Sequence, residues 1–193
     1  SAAQSDLADH AALAWAQAAY RFTRYHSNDD APSGDGSDDS DKVARLCLPE
    51  NTAAAALQGA IKGSFLARDL INTPASDMGP EELADAAVAL ADEFGAKANV
   101  IVGDDLLAEN YPAIHAVGRA STRAPRLIDL RWGEGDAPRL TLVGKGVCFD
   151  TGGLDLKSAA GMLKMKKDMG GAATVLGLAA MIMAAKLPVA LRV

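Results

Sequence analysis

Lysine, aspartate and glycine crowd into one stretch, V-G-K-G-V-C-F-D-T-G-G-L-D-L-K from Val143 to Lys157, followed by Gly161, Met162 and then Lys166, Lys167, Asp168, Met169, Gly170 and Gly171. Three chemistries could use these residues. A phosphate cradle would exploit the lysine among glycines, but the P-loop spacing needs four residues between its glycines and Ser or Thr after the lysine, and neither is present. A thiol nucleophile at Cys148 would need a partnering histidine. His10, His26 and His115 are all remote in sequence, and His115 lies in an apolar run where a packed core histidine is expected. Cys148 therefore reads as a small buried hydrophobe.

Metal chemistry fits better, because Asp150 and Asp168 are hard oxygen donors that could converge above one sheet edge. Lys145 could add a nitrogen ligand only where burial and metal charge keep it neutral. Two carboxylates do not complete a site. Spacing by itself leaves lysines and aspartates paired in a turn as an equally open reading.

These residues need elements to hold them. An apolar strand, Leu140 to Val143, would deliver Lys145 and Asp150 to the glycine-rich loop, and loops at strand carboxyl ends are where open α/β sheets place ligands. A long apolar helix from about Asp168 to Ala185 should follow, with Gly170 and Gly171 allowing close backbone approach. Upstream, Ala11 to Tyr20 is alanine-rich at helical spacing. Thr52 to Ile71 repeats apolar residues every three to five positions and stops at Asn72, Thr73 and Pro74. Pro80, Glu81 and Glu82 open a further helix that Gly95 closes. Lys42 to Leu48, Asn99 to Val102, Leu127 to Trp132 and Val189 to Val193 read as strands, with a short helix near Asp104 to Glu109. Strands alternating with helices argue an α/β fold with a sheet at least partly parallel.

Composition limits the function. The chain has 193 residues, 49% apolar and 23% charged, which excludes wholly disordered or collagen-like classes. Net charge is -6, and residues 28–41 hold six aspartates without a cation, so the remainder balances. No basic field for nucleic acid exists. The acidic stretch reads as a solvated loop that lacks the ligand order of a calcium loop. Two cysteines, with no basic-then-apolar leader at the start, point to a reducing, cytoplasmic setting. The uncharged run from Met169 to Ala185 is diluted by glycine and alanine, so it reads as a buried helix rather than a membrane span.

The segment V-G-K-G-x-x-F-D-T-G-G-L-D-L-K with G-M-L-x-M-K-K-D-M-G-G-A-A resembles the metal-binding region of the leucyl (cytosol) aminopeptidase family. The likeness extends upstream through Ala67 to Ala75, and more loosely through Tyr20, Arg21 and Phe22. It implies an enzyme with two divalent metal ions, zinc or manganese, that releases N-terminal residues from peptides and assembles as a hexamer. By this resemblance Lys145 and Asp168 would ligate the tighter metal and Asp150 would bridge both. Lys157 would be the catalytic cation on the developing oxyanion. Met165 would line the pocket for the leaving residue, with core packing as its alternative, and Lys157 and Asp150 would also contact substrate.

The sequence departs from the family in several places. The N-T-D-A-E-G-R segment, which completes both metal sites and positions a bicarbonate base, does not occur in these 193 residues. Ser158 and Ala159 stand where Pro is common, and Ala120 where a second glycine is frequent. The resulting expectation is an internal fragment: residues 1–50 end an N-terminal α/β domain, 51–71 form a connecting helix, and 72–193 begin a mixed-sheet catalytic α/β domain. Such a chain would be inactive alone, and its half-built sheet and uncharged helix would leave apolar area exposed. A non-catalytic remnant serving as a structural or binding module is the rival reading.

Overall fold

A computed structural model describes residues 2–26, 46–47, 54–150, 153–154 and 156–193. Two expectations, the acidic loop at 28–41 and most of the strand at 42–48, lie outside the described residues, as do Thr151, Gly152 and Asp155 of the glycine-rich loop. The element order is α1 (Ala2–Ala19), α2 (Ala54–Asn72), α3 (Pro80–Phe94), β1 (Lys97–Val102), α4 (Asp105–Ala108), α5 (Pro112–Gly118), β2 (Arg126–Trp132), β3 (Arg139–Thr141), α6 (Ala159–Leu163), a 3-10 turn (Met165–Met169), α7 (Gly170–Ala184) and β4 (Ala190–Arg192). The fold is α/β, as expected.

Among the described residues four strands make a mixed sheet in the order β1-β2-β4-β3. β1 and β2 are antiparallel with Lys97 opposite Arg131, β2 and β4 are antiparallel, and β3 and β4 are parallel with Leu140 opposite Leu191. The parallel pair needs a crossover, and α7 supplies it. α3 packs on β1 and β2. Its ends follow the sequence signals: Pro80 stands in the first turn, Glu82 accepts from the Gly79 N–H, and Gly95 takes a left-handed φ of 64° beyond Phe94.

The core gathers Leu70, Leu83, Leu90, Met169, Leu176 and Leu191 between α2, α3, α7 and the sheet. α7 is central to it. Its helix with the preceding turn, Met165–Ala184, is long and apolar enough to cross a membrane, yet Ala173, Leu176, Ala179, Ala180, Ile182 and Met183 are buried against protein. α2 covers part of the apolar surface expected on this helix, while Leu178 stays 40% exposed. A Cβ at Gly63 would run into the Gly177 carbonyl, and one at Gly177 would meet the Gly63 carbonyl and stand 3.2 Å from the Ala67 methyl. Bare glycines let the two backbones touch.

Three local expectations change. The strand ends at Thr141, one further N–H, that of Leu142, still bonds the Arg192 carbonyl of β4 at 2.8 Å, and residues 143–150, which carry Lys145 and Asp150, belong to no helix or strand. Asp168 lies inside the 3-10 turn, not at the first turn of the long helix. His115 sits on α5 with its Nε2 3.0 Å from Asp104 Oδ1, so it is a helix-edge residue with an ionic neighbour instead of a packed core histidine.

Candidate metal and peptidase site

Residues 142–150 lie against the start of α7 because glycine removes the obstacle. Cβ atoms at Gly144 and Gly171 would stand 2.6 Å from the Gly171 carbonyl oxygen and 2.9 Å from the Lys145 nitrogen respectively. The Ala172 N–H, one of the unpaired donors at the helix start, bonds the Lys145 carbonyl at 2.8 Å. This fixes Lys145 beside the 3-10 turn that carries Asp168. Lys157 is placed from the other side, where Ser158 caps α6 by accepting from the Gly161 N–H at 3.3 Å. The serine found where proline is common thus serves as a helix cap.

Three lysines close on one carboxylate. Lys145 Nζ is 3.4 Å and Lys157 Nζ 3.9 Å from Asp168 Oδ2, and Lys167 Nζ is 3.4 Å from Oδ1. Partial burial would raise the Asp168 carboxyl, but the ammonium groups of Lys145 and Lys167 outweigh it and hold the carboxyl below its ordinary range. Asp168 is thus an anion ready to hold a cation. The Lys145 side chain is 61% exposed, so the burial expected of it as a ligand is not found.

The sequence-derived residues are only partly brought together. Lys145, Lys157 and Asp168 converge, and Asp150 takes no part in these ion pairs. Asp150 and Lys145 instead line a largely apolar cavity of about 610 Å³ between α3, α5, β2 and α7, whose wall does not include Lys157, Met165 or Asp168. Met165 is buried at 6% exposure at the start of the 3-10 turn. Cys148 is buried, its S–H donates to the Gly146 carbonyl, and burial pushes its thiol up to about 11, the behaviour of a packed hydrophobe. Lys167 was missed from the sequence, although its adjacency to Asp168 was the available signal. Lys166 was missed as well: its Nζ donates to the Asn72 carbonyl at 3.0 Å.

The donor set can be tested against a divalent cation. Ligands at about 2.1 Å from one ion stand about 3 to 3.5 Å apart, and the 3.4 Å between Lys145 Nζ and Asp168 Oδ2 meets that separation. These two residues fit the first ligands of one ion. Among the described residues no three of His, Cys, Asp and Glu gather as a metal site.

Mixed sheet, crossover helix and the lysine-aspartate cluster together describe an α/β domain with a charged cluster ahead of its crossover helix. The match to the model of the cytosol aminopeptidase family, catalytic domain, covers residues 65–193, and the chain belongs to that family. It is 41% identical over 187 residues to a probable cytosol aminopeptidase of Rhodococcus opacus, covering 92% of this chain and 36% of that protein. The solved cytosol aminopeptidase of Coxiella burnetii superposes with a TM-score of 0.82 at 51% identity, over 95% of this chain and 37% of that one. The bottromycin maturation enzyme BotP in complex with Mn gives a TM-score of 0.79 at 34% identity, over 97% and 38%. The chain thus spans about a third of the length of the relatives it matches.

Proposed function

We propose that the natural protein carrying this sequence is a metal-dependent aminopeptidase that releases N-terminal residues from peptides. The observation that carries this reading is the convergence of Lys145 and Lys157 on the same oxygen of Asp168. By the family resemblance Lys145 and Asp168 would hold a divalent ion, and Asp150 would contribute its carboxylate to that ion and to a second one. Bound metal supplies Lewis-acid polarisation of the scissile carbonyl and a more acidic attacking water. Lys157, a cation fixed just ahead of the α6 cap, offsets the charge that develops on the carbonyl oxygen. Met165, buried in the same turn as Asp168, lines the pocket of the leaving residue. Zinc or manganese suits a mixed nitrogen and oxygen set, and the manganese in BotP supports the latter. Bicarbonate as the base and a hexameric assembly rest on the family resemblance alone.

The family match over residues 65–193 includes the stretch 72–193 read as the first part of the catalytic domain, while residues 1–50 as the end of an N-terminal domain and 51–71 as the connecting helix rest on the resemblance alone. Cytoplasmic residence is supported by the names of the relatives. The 193 residues alone should hold metal weakly and turn nothing over, since their ligands serve mainly one ion. In the natural protein, hydrolysis of leucyl anilide should vanish on chelation and return with Mn²⁺ or Zn²⁺. A fully metal-loaded protein without turnover would favour the non-catalytic module instead.

A further inference from the structure

We propose that Lys166 is a positioning residue: by tying the 3-10 turn to the end of α2, it sets where Asp168 stands relative to Lys145. Lys164, Lys166 and Lys167 lie close together in sequence, but a 3-10 turn advances about 120° per residue, so adjacent side chains leave in different directions. Lys167 reaches Asp168, while Lys166 is half-buried and reaches back to α2, donating to the Asn72 carbonyl at 3.0 Å. Asn72 is the last residue of a 19-residue helix. The final carbonyls of such a helix lack intrahelical partners and carry the negative end of its dipole, so an ammonium group there is matched in both hydrogen bonding and charge.

The anchor is itself held. Asn72 Nδ2 donates to the Tyr20 hydroxyl at 3.1 Å, that hydroxyl donates to Asp69 Oδ1 at 2.5 Å, and the Arg68 guanidinium lies 3.8 Å from the centre of the Tyr20 ring. Lys166 therefore connects the Asp168 turn to a network built on the residue just past α1 and on the last turn of α2. A five-residue 3-10 turn has poor internal hydrogen bonding and does not hold its shape unaided. Here it is pinned on both sides of Asp168, by Lys166 before it and by Met169, fully buried, after it. Groups that hydrogen-bond a metal ligand directly typically change affinity or activity 10-fold to 100-fold when lost; Lys166 acts on Asp168 through the backbone of the turn, which puts its effect at the lower end, about 10-fold.

This inference rests on Asp168 being a metal ligand in the proposed function. The test uses the natural protein, stripped of metal, with Mn²⁺ titrated by calorimetry beside kcat and KM on leucyl anilide. Lys166→Met should weaken Mn²⁺ binding by about 10-fold and lower kcat more than it changes KM. Lys166→Arg, which keeps the cation, should restore most of both, and Tyr20→Phe should give a smaller loss of the same kind. Lys62→Met removes the exposed Lys62–Glu93 ion pair between α2 and α3, away from the cavity that Lys145 and Asp150 line, and should leave Mn²⁺ affinity unmoved. Unchanged Mn²⁺ affinity in Lys166→Met, no rescue by Lys166→Arg, or an equal loss in Lys62→Met would overturn the proposal. A wild type that binds Mn²⁺ tightly but hydrolyses nothing would overturn only the proposed function, the affinities still deciding Lys166. A wild type that binds no Mn²⁺ would overturn both.

Discussion

Lys145 and Lys157 approach the same oxygen of Asp168, but the proposed site asks opposite things of them. A nitrogen that ligates metal must give up its proton and offer a lone pair, which an amine can do and a guanidinium cannot. Lys145→Arg should therefore strip metal from the protein even though it preserves the positive charge, and elemental analysis reads this directly. Full metal content in that variant would remove Lys145 from the ligand set. The residue types of this cluster were legible in the sequence because lysine, aspartate and glycine recur there at motif spacing. The direction of each side chain was not. Lys166 and Lys167 look equivalent in a row of letters, and only the 3-10 geometry sends one to a helix end and the other to Asp168. Likewise Asp150 and Lys145 share the motif and line the same cavity, but only Lys145 also reaches Asp168.

Among the elements, the contact of α2 with α7 is the one most sensitive to volume. A methyl at Gly63 would press on the Gly177 carbonyl and come within 2.8 Å of Met181 Cγ. Both helices would have to separate. Gly63→Ala should destabilise the fold by about 2 kcal/mol despite its better helix propensity, and denaturant unfolding measures this; a neutral or stabilising result would mean the helices are free to part. On the sheet, Arg131 and Arg192 lie directly opposite each other on β2 and β4, an unfavourable pairing that Asp129 relieves by accepting from both at 2.9 to 3.3 Å. Burial would raise the Asp129 carboxyl, and the two arginines together hold it below its ordinary range. A depressed carboxyl stabilises above its unfolded pKa and loses that contribution as pH falls through its folded value. Asp129→Asn should thus cost about 1 kcal/mol near neutral pH, solvent screening of the half-exposed arginines keeping it small. The gap from wild type should close below about pH 4; a gap constant down to pH 2 in acid unfolding would contradict this. The long elements announced themselves through caps and apolar period, as at Pro80 and Gly95. α5 and α6 did not, because seven and five residues are too few for a period to repeat.

At the scale of the whole molecule, the apolar stretch after Asp168 explains both what the sequence conveyed and what it hid. Its composition admits a buried helix, and α2, α3 and the sheet pack against one side of α7, leaving Leu178 exposed on another. Which neighbours would cover it depends on contacts across more than a hundred residues, which local pattern does not encode. The same applies to the sheet, whose mixed order places β4 between β2 and β3. With this framework in place, the central claim is that a lysine fixed beside Asp168 acts on the reacting oxygen and not on the metal. It is tested most directly by measuring metal content and kcat together in Lys157→Ala of the natural protein. Metal content should stay near wild type while kcat on leucyl anilide falls about 100-fold to 1000-fold, the usual cost of losing one such donor. Full activity, or metal loss equal to that of Lys145→Arg, would contradict the account.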